Sequence, residues 1–450
     1  MTQNRRIGVI GAGPCGITAL KNLRDAGFQH ITVFDRNRDV GGNWLFSTEP
    51  GHSSVFETTH TISSKKLSQY DDFPMPEDYP DYPGHRHLAS YFQNYARQFG
   101  LYEHIEFGTT VTRAEPRDGG GWRLSLQREA GEPTQVEERE FDELVVCNGH
   151  HWDPRMPRYP GQFGGRLLHS HDFKRAAPFA GERVLVIGGG NSACDVAVET
   201  SRVAQRTDIS MRRGYWITPK FMLGVPTDIM NERLLWLPKP LRTWVSEKIL
   251  YFLRGSNRSY GLAQPDHRFG ETHPTLNSEL LYFIRHGKVT PKPDIERFDG
   301  HRVHFSDGSQ GDYDSVIACT GYRISHPFFD KATVDYSEGP VPLYLKMFPN
   351  GPKNLYFIGL FQPLGSIWPL AELQAKILAR YLVGTWRLPS DLGRAIHAEI
   401  HHPDYHQLDT PRHTITVGYH AFRKRLLKHL PAPIAQVPAN KNVRSSLTGA

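Results

Sequence analysis

Two short glycine-rich runs carry the most readable chemistry in this sequence. The first is Gly11-Ala12-Gly13-Pro14-Cys15-Gly16 and the second is Gly188-Gly189-Gly190-Asn191-Ser192-Ala193. In such a run the first glycine permits a tight turn and the second lets a pyrophosphate approach the backbone. The third small residue allows close strand–helix packing. A helix that opens there offers free N–H groups and the positive end of its dipole to phosphate oxygens. Each run leads to a charged residue, Gly11 to Asp35 in 24 steps and Gly188 to Arg212 also in 24. A carboxylate at that place accepts from a free ribose 2′-hydroxyl and repels a 2′-phosphate. Arg212 and Arg213 attract a 2′-phosphate. The first run, with Arg36 beside its acid, therefore suits FAD or NAD. The second, with Asp195 further along its helix, suits NADPH.

The runs need strands before them and helices after them. Arg6–Ile10 reads as a buried strand, Ile17–Ala26 as a helix, and Ile31–Phe34 as a second strand. The same order recurs in Arg183–Ile187, a helix through about Arg202, and a strand Asp208–Met211. Two more apolar runs, Leu144–Cys147 and Val316–Cys319, stop near glycine, as parallel strands do beside a ligand. Val111–Pro116 and Trp122–Gln127 suggest an antiparallel meander around Gly119–Gly121. The expected fold is α/β, with two doubly wound Rossmann-like dinucleotide-binding domains. Residues 1–160 and 322–450 form the FAD domain, and the NADPH domain, 161–321, is inserted between them. Within the insert, 215–301 reads as a helical, aromatic-rich segment with a helix near Leu241–Leu253. That segment suits a cap, a substrate-channel wall, a dimer face or a peripheral membrane contact.

Bulk properties exclude several classes. Hydrophobic residues make up 38% of 450, charged residues 22%, and the net charge of +6 is dispersed, with no nucleic-acid motif. No apolar run is long enough for a transmembrane anchor. Cys15, Cys147, Cys194 and Cys319 are far apart in sequence and form no C-x-x-C pair, which argues against a disulfide reductase and fits a cytoplasmic location. Among 23 histidines, the pairs His150-His151, His169/His171 and His401-His402 lack partner ligands, so no metal is expected. The tail 431–450, rich in Pro, Ser and Asn, reads as late-ordering.

With two such sites at this spacing, nearly the whole chain resembles the flavin-containing monooxygenases, class B flavoprotein monooxygenases. Val40-Gly41-Gly42-Asn43-Trp44 is similar to the family's flavin-binding turn, and Asp72-Phe73-Pro74-Met75-Pro76 to its acidic-aromatic-proline loop. The identifying pattern F-x-G-x-x-x-H-x-x-x-[FY] is present as Phe163, Gly165, His169 and Phe173, where the Baeyer–Villiger pattern ends in Trp. Ala318-Cys319-Thr320-Gly321-Tyr322 resembles the strand-end motif, and Gln362–Ser366 with Glu372-Leu373-Gln374 a late flavin-side loop and helix. The resemblance places Gly42, Asn43, Trp44, Thr320, Gly321 and Gln362 at FAD.

The resemblance also implies a reaction. NADPH reduces FAD, O2 adds at C4a as a (hydro)peroxyflavin, and oxygen passes to an amine nitrogen or sulfide sulfur of a small molecule. A homodimer is the common assembly. The chain departs from the family at its asparagine near the flavin edge, where Ile62 stands between Thr61 and Ser63. Isoleucine cannot hydrogen-bond flavin or nicotinamide, so Thr61 or Ser63 replaces the amide, or peroxide leaks. An NADPH oxidase releasing H2O2, a Baeyer–Villiger oxygenation of a ketone and a redox-linked binding protein remain alternatives.

Overall fold

The computed structural model describes residues 4–49, 51–129, 136–403, 405 and 414–430; the tail segment 431–450 lies outside them. Two five-stranded, wholly parallel sheets organise the chain. In the first, the spatial order is Leu355–Phe357, Glu143–Val146, Ile7–Ile10, Ile31–Phe34, Ile105–Glu106. In the second it is Val289–Lys292, Arg206–Ser210, Arg183–Ile187, Ser315–Ala318, Arg166–His169.

Both sheets are covered on two faces, which is why their central strands are continuously apolar. Ile7 and Val9 face the helices Pro14–Asp25 and Trp368–Val383, whereas Ile10 faces Trp122, Leu124 and Phe141 of an antiparallel meander. That meander runs Thr109–Pro116, Trp122–Arg128, Val136–Phe141. The second sheet repeats the plan. Val184 and Val186 face helix Asn191–Ser201, and Leu185 and Ile187 face a meander of Ile295–Asp299, Arg302–Phe305 and Gln310–Asp312. The α/β class with two Rossmann-type units is present, and in each unit a β-meander covers the face opposite these helices.

Several sequence expectations shift. The strand read as Asp208–Met211 is Arg206–Ser210. The segment 215–301 is helical only in part, through Thr227–Arg233, Lys239–Arg254 and Leu280–Arg285. Its last stretch joins the second sheet as Val289–Lys292 and opens the meander at Ile295. The equal 24-residue steps also differ in register. Ile10 pairs with Phe34 but Ile187 pairs with Ser210, so Met211 is the counterpart of Asp35 and Arg212 lies one residue beyond.

The chain leaves the first sheet after Val146 and comes back to it at Leu355. On the way out and back, Asp153–Pro154 pairs antiparallel with Tyr322–Arg323, so the two crossings brace each other.

One buried charge ties the second sheet to its meander. Asp208 is fully buried and accepts from the Tyr313 phenol at 2.6 Å and from Arg206 at 2.5 and 2.9 Å. Asp208→Ala strands the Tyr313 hydroxyl in the core and is expected to cost about 1–3 kcal/mol. Tyr313→Phe, which leaves Asp208 its guanidinium, should cost less; urea midpoints of both variants check the order.

Candidate functional site

Each glycine run forms the turn between its sheet's central strand and a helix. In the first, Gly11 has φ +103°, and a Cβ there would lie 2.7 Å from the Cys147 carbonyl oxygen. A Cβ on Gly16 would lie 1.8 Å from the Gly11 oxygen, so the helix seats on the turn only with glycine there. Gly13 caps helix Pro14–Asp25, with Pro14 in its first turn, and offers its N-terminus without a side-chain cap. Cys15 lies in that turn, and burial pushes its thiol up to about 12. The turn Gly42–Trp44 comes against this start, since a Cβ on Gly13 would meet Gly42 Cα at 3.6 Å.

Asp35 does more than face a ribose. It is buried, and its carboxylate accepts from the Ala12 N–H at 2.6 Å and the Asn37 N–H at 2.7 Å. It thereby pins the glycine turn to the end of the next strand. Burial raises its pKa, opposed by those N–H groups and by Arg36. Arg36 lies 5.1 Å over the Trp152 ring. Asn43 Oδ1 accepts from the Ser54 N–H and hydroxyl at 2.7 and 2.9 Å, and Trp44 packs edge-on against Trp368. Gln362 pairs with His150 at 3.1 Å. Burial lowers the His150 pKa, so this pair is neutral.

In the second run Gly188 has φ +130°, and a Cβ there would lie 2.6 Å from the Cys319 oxygen. Gly190 caps helix Asn191–Ser201, Ser192 is exposed at its start, and Ala193 is fully buried where the first run has Gly16. This turn is held from the other side. Asn191 Oδ1 accepts from the Leu276 N–H at 2.7 Å, and the Thr275 hydroxyl donates to the Gly189 oxygen at 2.8 Å. Asp195 accepts from Asn277 at 2.6 Å. Arg212 is exposed, and Arg213, half-buried beside the Tyr215 ring, keeps a buried Nε without partner. Thr320 and Gly321 do not join the first glycine turn; they sit where the second sheet meets the crossing, Thr320 donating to Arg155 oxygen at 2.5 Å.

Thr61, Ile62 and Ser63 lie in a loop against the second unit. The Ser63 hydroxyl is engaged with Ser68 at 2.8 Å, whereas the buried Thr61 hydroxyl has no partner. Ile62 is part-buried. Residues invisible to motif reading hold this loop. Asp228 accepts from the Ser64 N–H at 2.6 Å, and the Lys220 ammonium donates to the Thr61 oxygen at 3.2 Å. Only folding brings these distant positions together, so no sequence spacing could have found them.

The family motifs divide. Phe73 packs among Tyr91, Tyr95 and Phe99, and Phe173 against Phe56 and Phe179, which are structural roles. All four cysteines are free. Among the described residues, no group of three His, Cys, Asp or Glu could hold a metal, and no helix is long and apolar enough to cross a membrane.

The site's elements are right for two dinucleotides. Both turns seat a helix closely on the sheet through glycine, neither helix start carries a side-chain cap, and the buried Arg213 Nε has no partner. Comparison with known proteins agrees. A family profile described as flavin-binding monooxygenase-like matches residues 4–423. The chain is 35% identical over 409 residues to dimethylaniline monooxygenase [N-oxide-forming] 2 of Rattus norvegicus, covering 86% of this chain and 75% of the relative. It superposes on S-allyl-L-cysteine S-oxygenase from Allium sativum with TM-score 0.69 at 24% identity, over 95% of this chain and 88% of that one. A complex of OTEMO with FAD and NADP gives TM-score 0.72 at 18% identity, over 94% and 97%. These two structural likenesses bear on the fold.

The two glycines of the first turn should separate on substitution. Gly16→Ala drives a Cβ into backbone and should cost about 1–3 kcal/mol. Gly13→Ala has room and an extended φ of −69°, so its stability should change by less than about 1 kcal/mol. Thermal melting of the two variants tests this.

Proposed function

The chain belongs to the flavin-binding monooxygenase-like family, and on that premise we propose the residues that run its chemistry and the atoms it oxygenates. It is a flavin-dependent monooxygenase whose cofactors are FAD and NADPH. Bound FAD supplies the hydride acceptor and the ring that activates O2. The protein's part is to bind, orient and exclude water.

The first turn, Gly11, Gly13, Pro14, Cys15 and Gly16, holds the FAD pyrophosphate at the open helix start. Asp35, which keeps lone pairs beyond its two N–H contacts, takes the adenosine ribose, with Arg36 alongside. Gly42, Asn43 and Trp44 line the flavin from the neighbouring turn. Gln362, paired with neutral His150, does so from the late loop, and Thr320 and Gly321 from the crossing. The second turn, Gly188, Gly190, Asn191, Ser192 and Ala193, takes the NADPH pyrophosphate, with Asp195 behind it. Arg212 and Arg213 take the 2′-phosphate. The domains follow the same split: 1–160 with 322–450 for FAD, 161–321 for NADPH, supported by the two paired crossings. Four free thiols suit the cytoplasm.

The substrate is a small molecule bearing a soft nucleophile, an amine nitrogen or a sulfide sulfur. The single observation that carries this is the pair of opposed turns, acid-ended and arginine-ended, in a chain of this family. The rat relative is named for N-oxide formation and the Allium structure for S-oxygenation, and both acceptors are soft heteroatoms. A second reading, peroxide release, rests on Ile62, which has no polar group, and on the Ser63 hydroxyl, which is engaged with Ser68. Product analysis decides: N- or S-oxide formed per NADPH supports the first, and H2O2 matching NADPH consumption with every amine and sulfide tried supports the second.

Three outcomes are expected. Gly13→Ala, though folded, should purify with less bound flavin, read from its absorbance. Replacing Arg212 and Arg213 by Ala should raise KM for NADPH about tenfold or more, the worth of a charged hydrogen bond, and KM for NADH far less. Ile62→Asn should lower the H2O2 released per NADPH; an unchanged ratio would remove position 62 from control of coupling.

A further inference from the structure

The longest helix of the aromatic segment, Lys239–Arg254, has no task in the assignments above, and it is apolar on the side turned to solvent. Its inward face is sparse. Ser246 and Leu250 are buried, and Glu247 accepts from Arg268 Nε at 2.8 Å and from the Phe269 N–H at 3.0 Å. On the opposite face Leu241, Trp244, Lys248 and Phe252 follow one another at three- and four-residue spacing. All four are exposed, Phe252 by 88%. Tyr251, 65% exposed, flanks them, and Trp236, 79% exposed, stands in the turn before the helix. Single exposed apolar residues are ordinary, but a stripe of large ones along a helix marks a surface made to be covered.

The same stretch holds most of the chain's excess charge. Residues 233–258 carry Arg233, Lys239, Arg242, Lys248, Arg254 and Arg258 against one acid, Glu247, a net +5 where all 450 residues amount to +6. Charge that reads as dispersed from composition is therefore concentrated here. Arg254 turns inward to Asn257 Oδ1 at 2.6 Å, but Arg233, Lys239, Lys248 and Arg258 are exposed. The Lys248 ammonium lies 5.9 Å from the Trp244 ring, so cation and aromatic stand side by side on the outer face.

The charge says what covers the stripe. A closed dimer about this face would lay the patch on itself and bring two such basic stretches together, with Glu247 already engaged by Arg268. A bilayer with anionic headgroups answers both the apolar stripe and its cations. A 16-residue helix is about 24 Å long, short of the roughly 30 Å hydrocarbon core. Its inner face is also held to the protein, so it can lie in the interface but not span it. We propose that Lys239–Arg254 and the turn before it dock the protein on an anionic lipid bilayer. Leu241 and Phe252 enter the acyl boundary, Trp236, Trp244 and Tyr251 sit at headgroup level, and the exposed cations meet the anionic headgroups. The surface uses no residue assigned to FAD or NADPH, so it stands independently of those assignments.

Flotation of the flavin-loaded protein with lipid vesicles tests this. Vesicles of phosphatidylcholine mixed with phosphatidylserine should carry the wild type upward at low salt. Raising the salt or omitting phosphatidylserine should leave most of it behind. Trp244→Ser with Phe252→Ser should weaken partition about tenfold or more, and Lys239→Glu with Lys248→Glu should do the same on the mixed vesicles. Lys331→Glu, a charge reversal at an exposed site of the first unit, should float like the wild type. Bound flavin and NADPH oxidation without vesicles should be unchanged in every variant. A wild type that does not float at low salt, or a serine variant that floats equally well, would overturn the proposal. Equal loss in Lys331→Glu would reduce the effect to bulk charge and overturn it too. A wild-type dimer that the serine substitutions dissociate, with no flotation, would give the face to a second copy instead. Should a double variant lose its flavin, Lys248→Glu alone and the salt and lipid dependence of the wild type decide.

Discussion

The architecture turns on how closely a helix can approach the strand that precedes it. In the first unit that approach is set by Gly16, whose missing Cβ lets the helix rest on the Gly11 carbonyl; in the second the same seat is filled by Ala193. Seated this way, each helix points its first N–H groups past a bare backbone, and any larger residue would push the anion-binding end off the sheet. The two turns are then locked by different means. The first is held from within, by Asp35 reaching Ala12 and by the Gly41 N–H donating to the Ala12 oxygen at 3.2 Å. The second is held from outside, by Thr275 and Leu276 on the far side of the aromatic segment. The second turn's geometry therefore depends on a segment that motif reading treats as an accessory.

The same division governs how the units face each other. The stretch from Ser53 to Ser64 belongs to the first unit in sequence but touches the second, whereas Tyr70 and Met75 just beyond it lie in the first unit's core. Phe56 packs with Phe173 in the second unit's core, Lys174 donates to the Ser53 oxygen at 2.5 Å, and the Glu57 N–H donates to the Lys174 oxygen at 2.9 Å. Most of these contacts end on backbone atoms. They fix the loop carrying Thr61, Ile62 and Ser63 without specifying its side chains, so the loop can exchange an asparagine for an isoleucine and keep its place.

This explains what could be read from sequence. The strands beside the glycines were legible because a doubly covered parallel strand is a continuous apolar run bounded by glycine, as in Val184–Ile187. The charge at each strand end was legible because it lies within two residues of the apolar run, Asp35 directly after Phe34 and Arg212 two after Ser210. The register was less so: a 24-residue step hides whether the extra residue falls in the helix, the loop or the strand, and the pairing of Ile187 with Ser210 shows that it differs between units. The second meander escaped because Ile295–Asp312 alternates weakly and is broken by Asp and Gly. Lys220 and Asp228 escaped for a stronger reason, since a residue that acts by touching position 61 or 64 from more than 150 residues away leaves no local pattern.

Electrostatics at the seam follows from burial more than from composition. A chain with 23 histidines invites a pH-sensitive interface, and several line this one. His169 and Tyr322 rings pack at 5.2 Å, His151 and Tyr322 at 5.5 Å, and His326 packs against Phe357 at 5.3 Å. Yet burial holds His169 and His326 down to about 4 and lowers His150 as well. The His169 and His326 rings stay neutral through the range in which histidine ordinarily titrates, and they serve as flat, part-polar packing surfaces. Beside Lys220 more groups share the balance: the Asp195 pKa is raised by its own burial and pulled part of the way back by Lys220, His60 and Asn277. Each opposes the other's neutralisation, but burial prevails at both, leaving the Asp195 pKa raised and the Lys220 pKa lowered. Two opposite ionisable groups buried at a seam of neutral rings cost desolvation that apolar side chains would avoid.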